Sequence, residues 1–392
     1  MFSKRTDWSL APNRLSRLVA ARKPESAWID LTESNATRCG FNYPAEKILR
    51  ALGDARALAY EPDPRGLLAA RLAVADYYAE RGFRPDPAHI FLTTGTSESY
   101  SYLFRLLADP GDEVLAPRPS YPLFEYLGPL DAVKPVDYPL AFGDGWQIDT
   151  KSLREKVSSR SRAILVVHPN NPTGSFVSRN ELEFLVDCCH EHRLALIVDE
   201  VFRDYRLASD AALDASFESA QSSILTFTLN GLSKIAALPQ MKLGWILAAG
   251  PPHLLGPALA RLELISDTYL SVSAPLACAM PWLLEMRREM QHQILERLRA
   301  NLRELDEQLS PPSTVSRLPT AGGWYAVLRV PAIQGDEDWA LEIFEREDVL
   351  VQPGHFYDFA SEGHLVVSLL PRQEVFQKGM AKLLRVIRRR AG

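Results

Sequence analysis

Four short segments of this 392-residue chain combine residue types that can move a proton or hold a small charged ligand. Lys234 stands in Leu229-Asn-Gly-Leu-Ser-Lys-Ile, among small and apolar residues. A lysine in such a loop is commonly just solvated, but one withdrawn from water becomes a nucleophile and base near neutral pH. Asp199 closes the apolar run Leu194-Ala-Leu-Ile-Val, which sets a carboxylate at the carboxyl end of a central strand, where parallel sheets bind ligands. Buried there it is costly unless a positive group faces it, and a protonated pyridine nitrogen is one such partner. A second apolar run, 163–167, leads into His168-Pro-Asn-Asn-Pro-Thr-Gly, which reads either as a tight turn before a helix cap or as a ligand loop carrying Asn171. A third leads into Thr93-Thr-Gly-Thr-Ser-Glu. There Gly95, Thr96 and Ser97 can turn amides and hydroxyls onto a phosphate, although a plain helix cap explains Thr96 or Ser97 as well.

The elements that must position these groups can be read from periodicity. Between 66 and 250 the pattern predicts helices over 66–81, 98–108 and 179–192, and strands over 89–93, 113–116, 163–167, 195–198, 224–228 and 242–247. The strands are apolar on consecutive residues, which suits burial on both faces and hence an α/β fold with a mainly parallel sheet flanked by helices. After Pro251 the chain turns to long helical stretches, among them 274–309, closed by Pro311-Pro312. A second set comes next: a strand over 324–329, a helix over 337–346, strands near Val349 and over 365–369, and a terminal helix. The break at 310–313 is the candidate boundary of a smaller domain.

Composition narrows the function. With 44 basic and 49 acidic residues the net charge is −5, and 46% of residues are apolar, which excludes intrinsic disorder. Without clustered cations, nucleic acid and anionic membranes are not expected partners; Arg388 to Arg390 read as the solvated end of a helix. The start, Met-Phe-Ser-Lys-Arg-Thr-Asp-Trp, lacks a signal-peptide core, and no window reaches the roughly 18 apolar residues of a membrane span. The four cysteines, Cys39, Cys188, Cys189 and Cys278, show no C-x-x-C spacing, so a reducing, cytoplasmic setting is expected. His190 and His192, two apart on a helix, do not face together, and no metal site is expected.

In order and spacing, from Leu31-Thr-Glu-Ser-Asn to the C-terminal helix, these segments resemble the class I/II aminotransferases, fold-type I enzymes that use pyridoxal 5'-phosphate. The resemblance implies a seven-stranded, mainly parallel sheet in a large coenzyme domain, 45–290, with a smaller α+β domain built from 1–44 and 291–392. It implies that Lys234 of Ser-Lys-x-x-x-Leu-Pro carries the coenzyme aldehyde as an imine and then moves a proton. By the same resemblance Asp199 of Asp-Glu-Val-Phe pairs with the ring nitrogen, Asn171 of Asn-Pro-Thr-Gly bonds the ring hydroxyl, and Tyr121 of Pro-Ser-Tyr-Pro stacks on the ring. Gly95, Thr96, Ser97, Ser233 and Lys242 would cradle the phosphate. Tyr60, in Ala59-Tyr-Glu-Pro, would reach the phosphate of a neighbouring subunit, which implies a homodimer. The expected partners are an amino donor and a 2-oxo acid acceptor. A lyase, cyclase or decarboxylase on the same coenzyme is the alternative, and a non-catalytic regulatory module a third reading.

Three positions depart from the family pattern. Phe202 replaces a tyrosine whose hydroxyl helps tune the ring oxygen, so the coenzyme imine is expected to titrate higher. Lys242 stands for an arginine on the phosphate and keeps the charge without the fork. Val366 falls where an arginine ordinarily clamps the substrate carboxylate, and reads as a buried strand residue. Another cation is then needed. Arg38 is the leading candidate, with Asn35 beside it in Ser34-Asn-Ala-Thr-Arg-Cys-Gly, a segment that crosses the active-site mouth in relatives; a surface role for Arg38 is the alternative. Arg372 and Arg203 come second. Phe41, Tyr43, Trp324, Phe356 and Tyr357 suggest either a pocket for large side chains or ordinary packing.

Overall fold

Eight strands form the central sheet of the computed structural model, which describes residues 1–22, 27–208, 217, 223–310 and 313–391. They are β1 (Ile90–Thr93), β2 (Glu113–Arg118), β3 (Lys134–Phe142), β4 (Trp146–Ile148), β5 (Ser161–Val167), β6 (Ala195–Asp199), β7 (Thr226–Gly231) and β8 (Gly244–Ala249). Their order across the sheet is β1-β8-β7-β6-β5-β2-β3-β4. The neighbours from β7 through β3 pair in parallel, whereas β8 runs antiparallel to both β1 and β7. The short β4 folds back on β3 across Gly143-Asp-Gly and adds an eighth strand to the seven expected. Asp-Gly between apolar residues is a hairpin signal that accounts for it.

Residues of β6 are all buried, as their uninterrupted apolar run requires. One face of the sheet packs Phe91, Phe227 and Ile246 against Leu103 and Leu262 of the helices Thr96–Leu107 and Pro252–Tyr269. The other packs Leu196 and Val198 against Leu182 and Leu185 of the helix Arg179–His192. That helix starts at a capping box in which Ser178 and Glu181 satisfy each other's backbone amides, and it ends at Arg193 in the left-handed conformation.

The helix Ala274–Gln308 runs 35 residues along the molecule; Pro311 and Pro312, expected to close it, lie outside the described residues. Beyond it, β9 (Ser316–Arg317), β10 (Tyr325–Arg329), β11 (Gln352–Pro353) and β12 (His364–Ser368) form an antiparallel sheet in the order β9-β10-β12-β11. The N-terminal segment joins this part of the fold, Ile29–Asp30 pairing in parallel with Val349–Leu350. Among the described residues no helix is long and apolar enough to cross a membrane, no cluster of His, Cys, Asp and Glu could hold a metal ion, and all four cysteines are free.

Candidate functional site

The strands β1, β2, β5, β6 and β7 point the same way, and the candidate segments lie at or just beyond their carboxyl ends. β6 delivers Asp199 with its carboxylate buried. Its Oδ2 accepts from the Tyr100 hydroxyl at 2.7 Å and its Oδ1 from the Val201 amide at 3.0 Å. Burial pushes this carboxyl above its ordinary range, while Tyr100, the Val201 amide and the Lys234 charge pull it back.

From β7 the chain enters the four-residue helix Leu232–Ile235, which carries Lys234. The lysine amine lies 4.8 Å from the ring centre of Trp324 and 5.4 Å from that of Phe202. Packing there withdraws it from water and lowers it to about 8, against the opposing attraction of Asp199. An amine held so close to neutral can give and take a proton without a large penalty either way.

Backbone proximity brings the β1 loop beside this helix. A side chain on Gly244 would meet the Gly95 Cα at 3.0 Å, and Gly95 itself has φ +142°, a conformation open to glycine, with nothing within 4 Å of where its Cβ would stand. The helix Thr96–Leu107 therefore starts at the rim: the Glu98 and Ser99 amides both donate to Gly95 O at 3.1 Å, which leaves those of Thr96 and Ser97 without a helical partner. Thr96 and Ser233 are partly exposed there and Ser97 is exposed. Lys242 is exposed as well and sits in the left-handed region at φ +49°, uncommon for a side-chain-bearing residue.

After β5, Asn170 braces the loop: its amide donates to Pro119 O at 3.0 Å and to Thr173 Oγ1 at 2.9 Å. The adjacent Asn171 is buried with its Oδ1 unpartnered. Tyr121 comes after β2 and is half-exposed, and its phenol lies near those of Tyr325 and Tyr357. Burial, with Tyr121 and Glu33 adding to it, pushes Tyr325 up to about 12 against a hydrogen bond with Ser34 that lowers it. The N-terminal segment thus reaches the wall that carries Tyr121.

The candidates for the substrate end are less gathered. Arg38 is exposed, and its guanidinium makes no ion pair or hydrogen bond among the described residues. Asn35 caps the 3-10 turn Ala36–Arg38, its side-chain oxygen accepting from the Thr37 amide at 3.1 Å and the Thr37 hydroxyl at 2.7 Å. Arg203 faces the buried Glu200 at 3.9 Å and lies over Phe176, while the Arg372 guanidinium lies against Gly40. Val366 is buried in β12 between Val327 and Gln352. Tyr60 is 78% exposed. Of the aromatic residues singled out from sequence, Trp324 stands over the lysine, Tyr43 bonds Ala237 O at 2.7 Å, Phe41 lies under Arg297, and Tyr357 is buried.

Sequence reasoning missed Tyr100. The signal available was the Tyr100–Phe104 pair, four apart on one helix face and both buried against the sheet.

The donor set fits pyridoxal phosphate. A buried amide oxygen without a partner suits a ring hydroxyl, the carboxylate of Asp199 suits a protonated ring nitrogen, and the open rim at Gly95 with first-turn amides, hydroxyls and a cation suits a phosphate.

Comparison with known proteins agrees. The family model for aminotransferase class I and II matches residues 27–377. The chain is similar to alanine aminotransferase of Mycobacterium tuberculosis, 30% identical over 355 residues that cover 88% of this chain and 81% of that one. It is also similar to glutamate-pyruvate aminotransferase of Haemophilus influenzae, 25% identical over 92% of this chain and 90% of that one. The fold matches that of alanine aminotransferase from Pyrococcus furiosus with a TM-score of 0.87 over 99% of this chain and 100% of that one, at 24% identity. A lysine and a buried acid at adjacent strand ends, in a chain matched over nearly its whole length, place this protein in the class I and II aminotransferase family, as a pyridoxal-phosphate-dependent aminotransferase.

Proposed function

We propose that the enzyme exchanges an amino group between an amino acid and a 2-oxo acid in two half-reactions, with Lys234 as the group that moves the proton at the substrate Cα. The observation that carries this reading is the placement of the Lys234 amine against the Trp324 and Phe202 rings, with the buried Asp199 at the end of the neighbouring strand. When bound, pyridoxal phosphate supplies an aldehyde that takes up an amine and an electron-poor ring that accepts the electron pair left on Cα. Asp199 holds a positive charge on the ring nitrogen, and Tyr100 holds Asp199 ionised. Asn171 and Tyr121 orient the ring. Gly95, Thr96, Ser97, Ser233 and Lys242 bind the phosphate. Trp324 and Phe202 keep water from the lysine amine, so that its lone pair is free for the Cα proton and not spent on hydration.

The relatives' names supply alanine and glutamate as donors and pyruvate as an acceptor to test first. With Val366 buried in β12, we assign the donor carboxylate to Arg38, whose guanidinium has no protein partner among the described residues, with Asn35 fixing the turn that carries it. We further propose a large domain of 45–290, a small one of 1–44 and 291–392, a cytoplasmic setting, and a homodimer in which Tyr60 reaches the neighbouring site. Support for the dimer comes from the exposed apolar residues Leu58, Tyr60, Leu68, Tyr269 and Leu270.

Mixing the loaded protein with alanine or glutamate and no oxo acid is expected to convert the coenzyme stoichiometrically to its amine form. Release of ammonia with the coenzyme unchanged would overturn the reading in favour of a lyase. Arg38→Ala is expected to raise KM for the donor by about 10- to 100-fold, the worth of a charge-assisted hydrogen bond, with kcat changed far less. An unchanged kcat/KM would remove Arg38 from the site.

A further inference from the structure

Lys234 lies on a helix of only four residues, Leu232–Ile235. One turn is too short to hold itself: the Ala237 amide closes back on the Lys234 carbonyl at 3.1 Å, and further donors come from elsewhere in the chain. The structure supplies them from three distant parts of the chain. The Tyr205 hydroxyl donates to the carbonyl of Lys234 itself at 2.5 Å, the Gln291 amide to that of Ile235 at 2.9 Å, and the Tyr43 hydroxyl to that of Ala237 at 2.7 Å. Tyr205 comes six residues after Asp199, Gln291 belongs to the helix Ala274–Gln308, and Tyr43 to the N-terminal segment.

Gln291 does more than cap. The same Nε2 donates at 2.7 Å to Asp204 Oδ2. A carbonyl and a carboxylate are both acceptors, so only the NH2 end of Gln291 can face them and its orientation is fixed. Asp204 is in turn paired with Arg81, which also bonds Glu200 at 3.1 Å and the Tyr77 hydroxyl. The amide therefore ties the lysine helix to a buried ionic cluster that includes Glu200, the residue next to Asp199.

Resting on the assignment of Lys234 as the reacting amine, we infer that Tyr205 and Gln291 are positioning residues that aim this amine by fixing the backbone beneath it. They touch neither coenzyme nor substrate. Their effect is to keep the lysine side chain leaving its helix at one angle, between the Trp324 and Phe202 rings and on the Asp199 side. Displacement of a reacting group by about 1 Å can cost on the order of 100-fold in rate.

The test compares Tyr205→Phe, Gln291→Leu and the double variant with wild type and with Ile343→Val, a core trim at a fully buried position in the helix Asp336–Glu347. Tyr205→Phe removes a single oxygen and is expected to fold whatever the fate of the others. In the loaded protein, kcat should fall about 10- to 100-fold in the double variant and about 3- to 10-fold in each single one, with KM for the donor within about threefold. In the coenzyme-free full chain, the pH midpoint for acetylation of Lys234, mapped by peptide mass spectrometry, should rise by about one unit as water reaches the loosened amine. Ile343→Val should leave both readouts unmoved even where it lowers Tm as much. Unchanged kcat and midpoint in Tyr205→Phe and in any folded Gln291 variant would overturn the inference. Borohydride reduction of loaded wild type keeps the two readings apart: an unlabelled Lys234 removes the assignment beneath the inference, whereas a labelled Lys234 with unmoved readouts removes the positioning role alone.

Discussion

Replacing Lys234 with alanine is expected to lower kcat by about 10⁴-fold, the upper end of what a positioned acid–base group contributes, and to abolish borohydride-stable attachment of the coenzyme. Coenzyme should still bind through the phosphate and ring contacts, so the loss belongs in kcat and not in coenzyme affinity alone. A variant that still turned over within tenfold of wild type would mean that another base reaches Cα. Added small amines should restore part of the rate if the defect is the missing amine and not a collapsed site. The same residue carries an opposite signature in stability. In the coenzyme-free chain its amine is held near 8 against an ordinary 10.5, because burial disfavours the charged form. Between those values the unfolded chain binds the extra proton, so stability rises with pH through that window; below about 8 both states are charged and the native state bears the full penalty. Lys234→Met should therefore raise the Tm of the coenzyme-free chain at pH 7, because methionine fills the same space without the penalty of a buried charge. A site that is less stable with its lysine than without it has been kept for chemistry.

How much of this could be read from residues alone depends on whether the determining contact is local. β5, β6 and the helix Arg179–His192 were legible because unbroken apolar runs and helical periodicity are properties of neighbours in sequence. β3 was not: Lys134-Pro-Val-Asp-Tyr-Pro-Leu mixes prolines and charge, as a strand toward the sheet margin can, and only one of its nine residues is buried. The antiparallel direction of β8 was hidden for another reason, since a strand buried on both faces looks the same either way round. Asp199 announced itself by standing at the end of such a run, and Lys234 by the resemblance of its Ser-Lys-x-x-x-Leu-Pro segment. Tyr100, Tyr205 and Gln291 did not, because each acts through a partner 99, 29 or 56 residues away, and nothing in a tyrosine or a glutamine marks the carbonyl or carboxylate it will meet. Arg38 shows the converse. The segment that carries it was legible, yet its guanidinium is exposed and meets no protein group among the described residues.

Asp199→Asn is expected to lower kcat by about 10³-fold, near the largest loss seen when one electrostatic contact to a developing charge is removed. The amide has the shape of the acid, and its oxygen can still accept from the Tyr100 hydroxyl or the Val201 amide, so the fold should hold. What would disappear is the negative charge that, on the proposed role of Asp199, would hold a proton on the coenzyme ring nitrogen. The loss should fall on proton removal. A donor deuterated at Cα should then show a larger isotope effect in Asp199→Asn than in wild type. Tyr100→Phe separates charge from its support. Burial already lifts the Asp199 carboxyl and the Tyr100 hydroxyl opposes that lift, so deleting the hydroxyl moves the carboxyl further up. The acid limb of the kcat/KM profile should shift to higher pH, with kcat at the optimum reduced only about threefold to tenfold, because the carboxylate and its bond from the Val201 amide remain. Asp199→Asn within threefold of wild type, or an acid limb unmoved by Tyr100→Phe, would detach the buried acid from the reaction and leave it a structural carboxylate. Burying an ionised acid at a strand end with one hydroxyl and one amide is a poor bargain for stability alone, which is why the larger effect is expected in turnover.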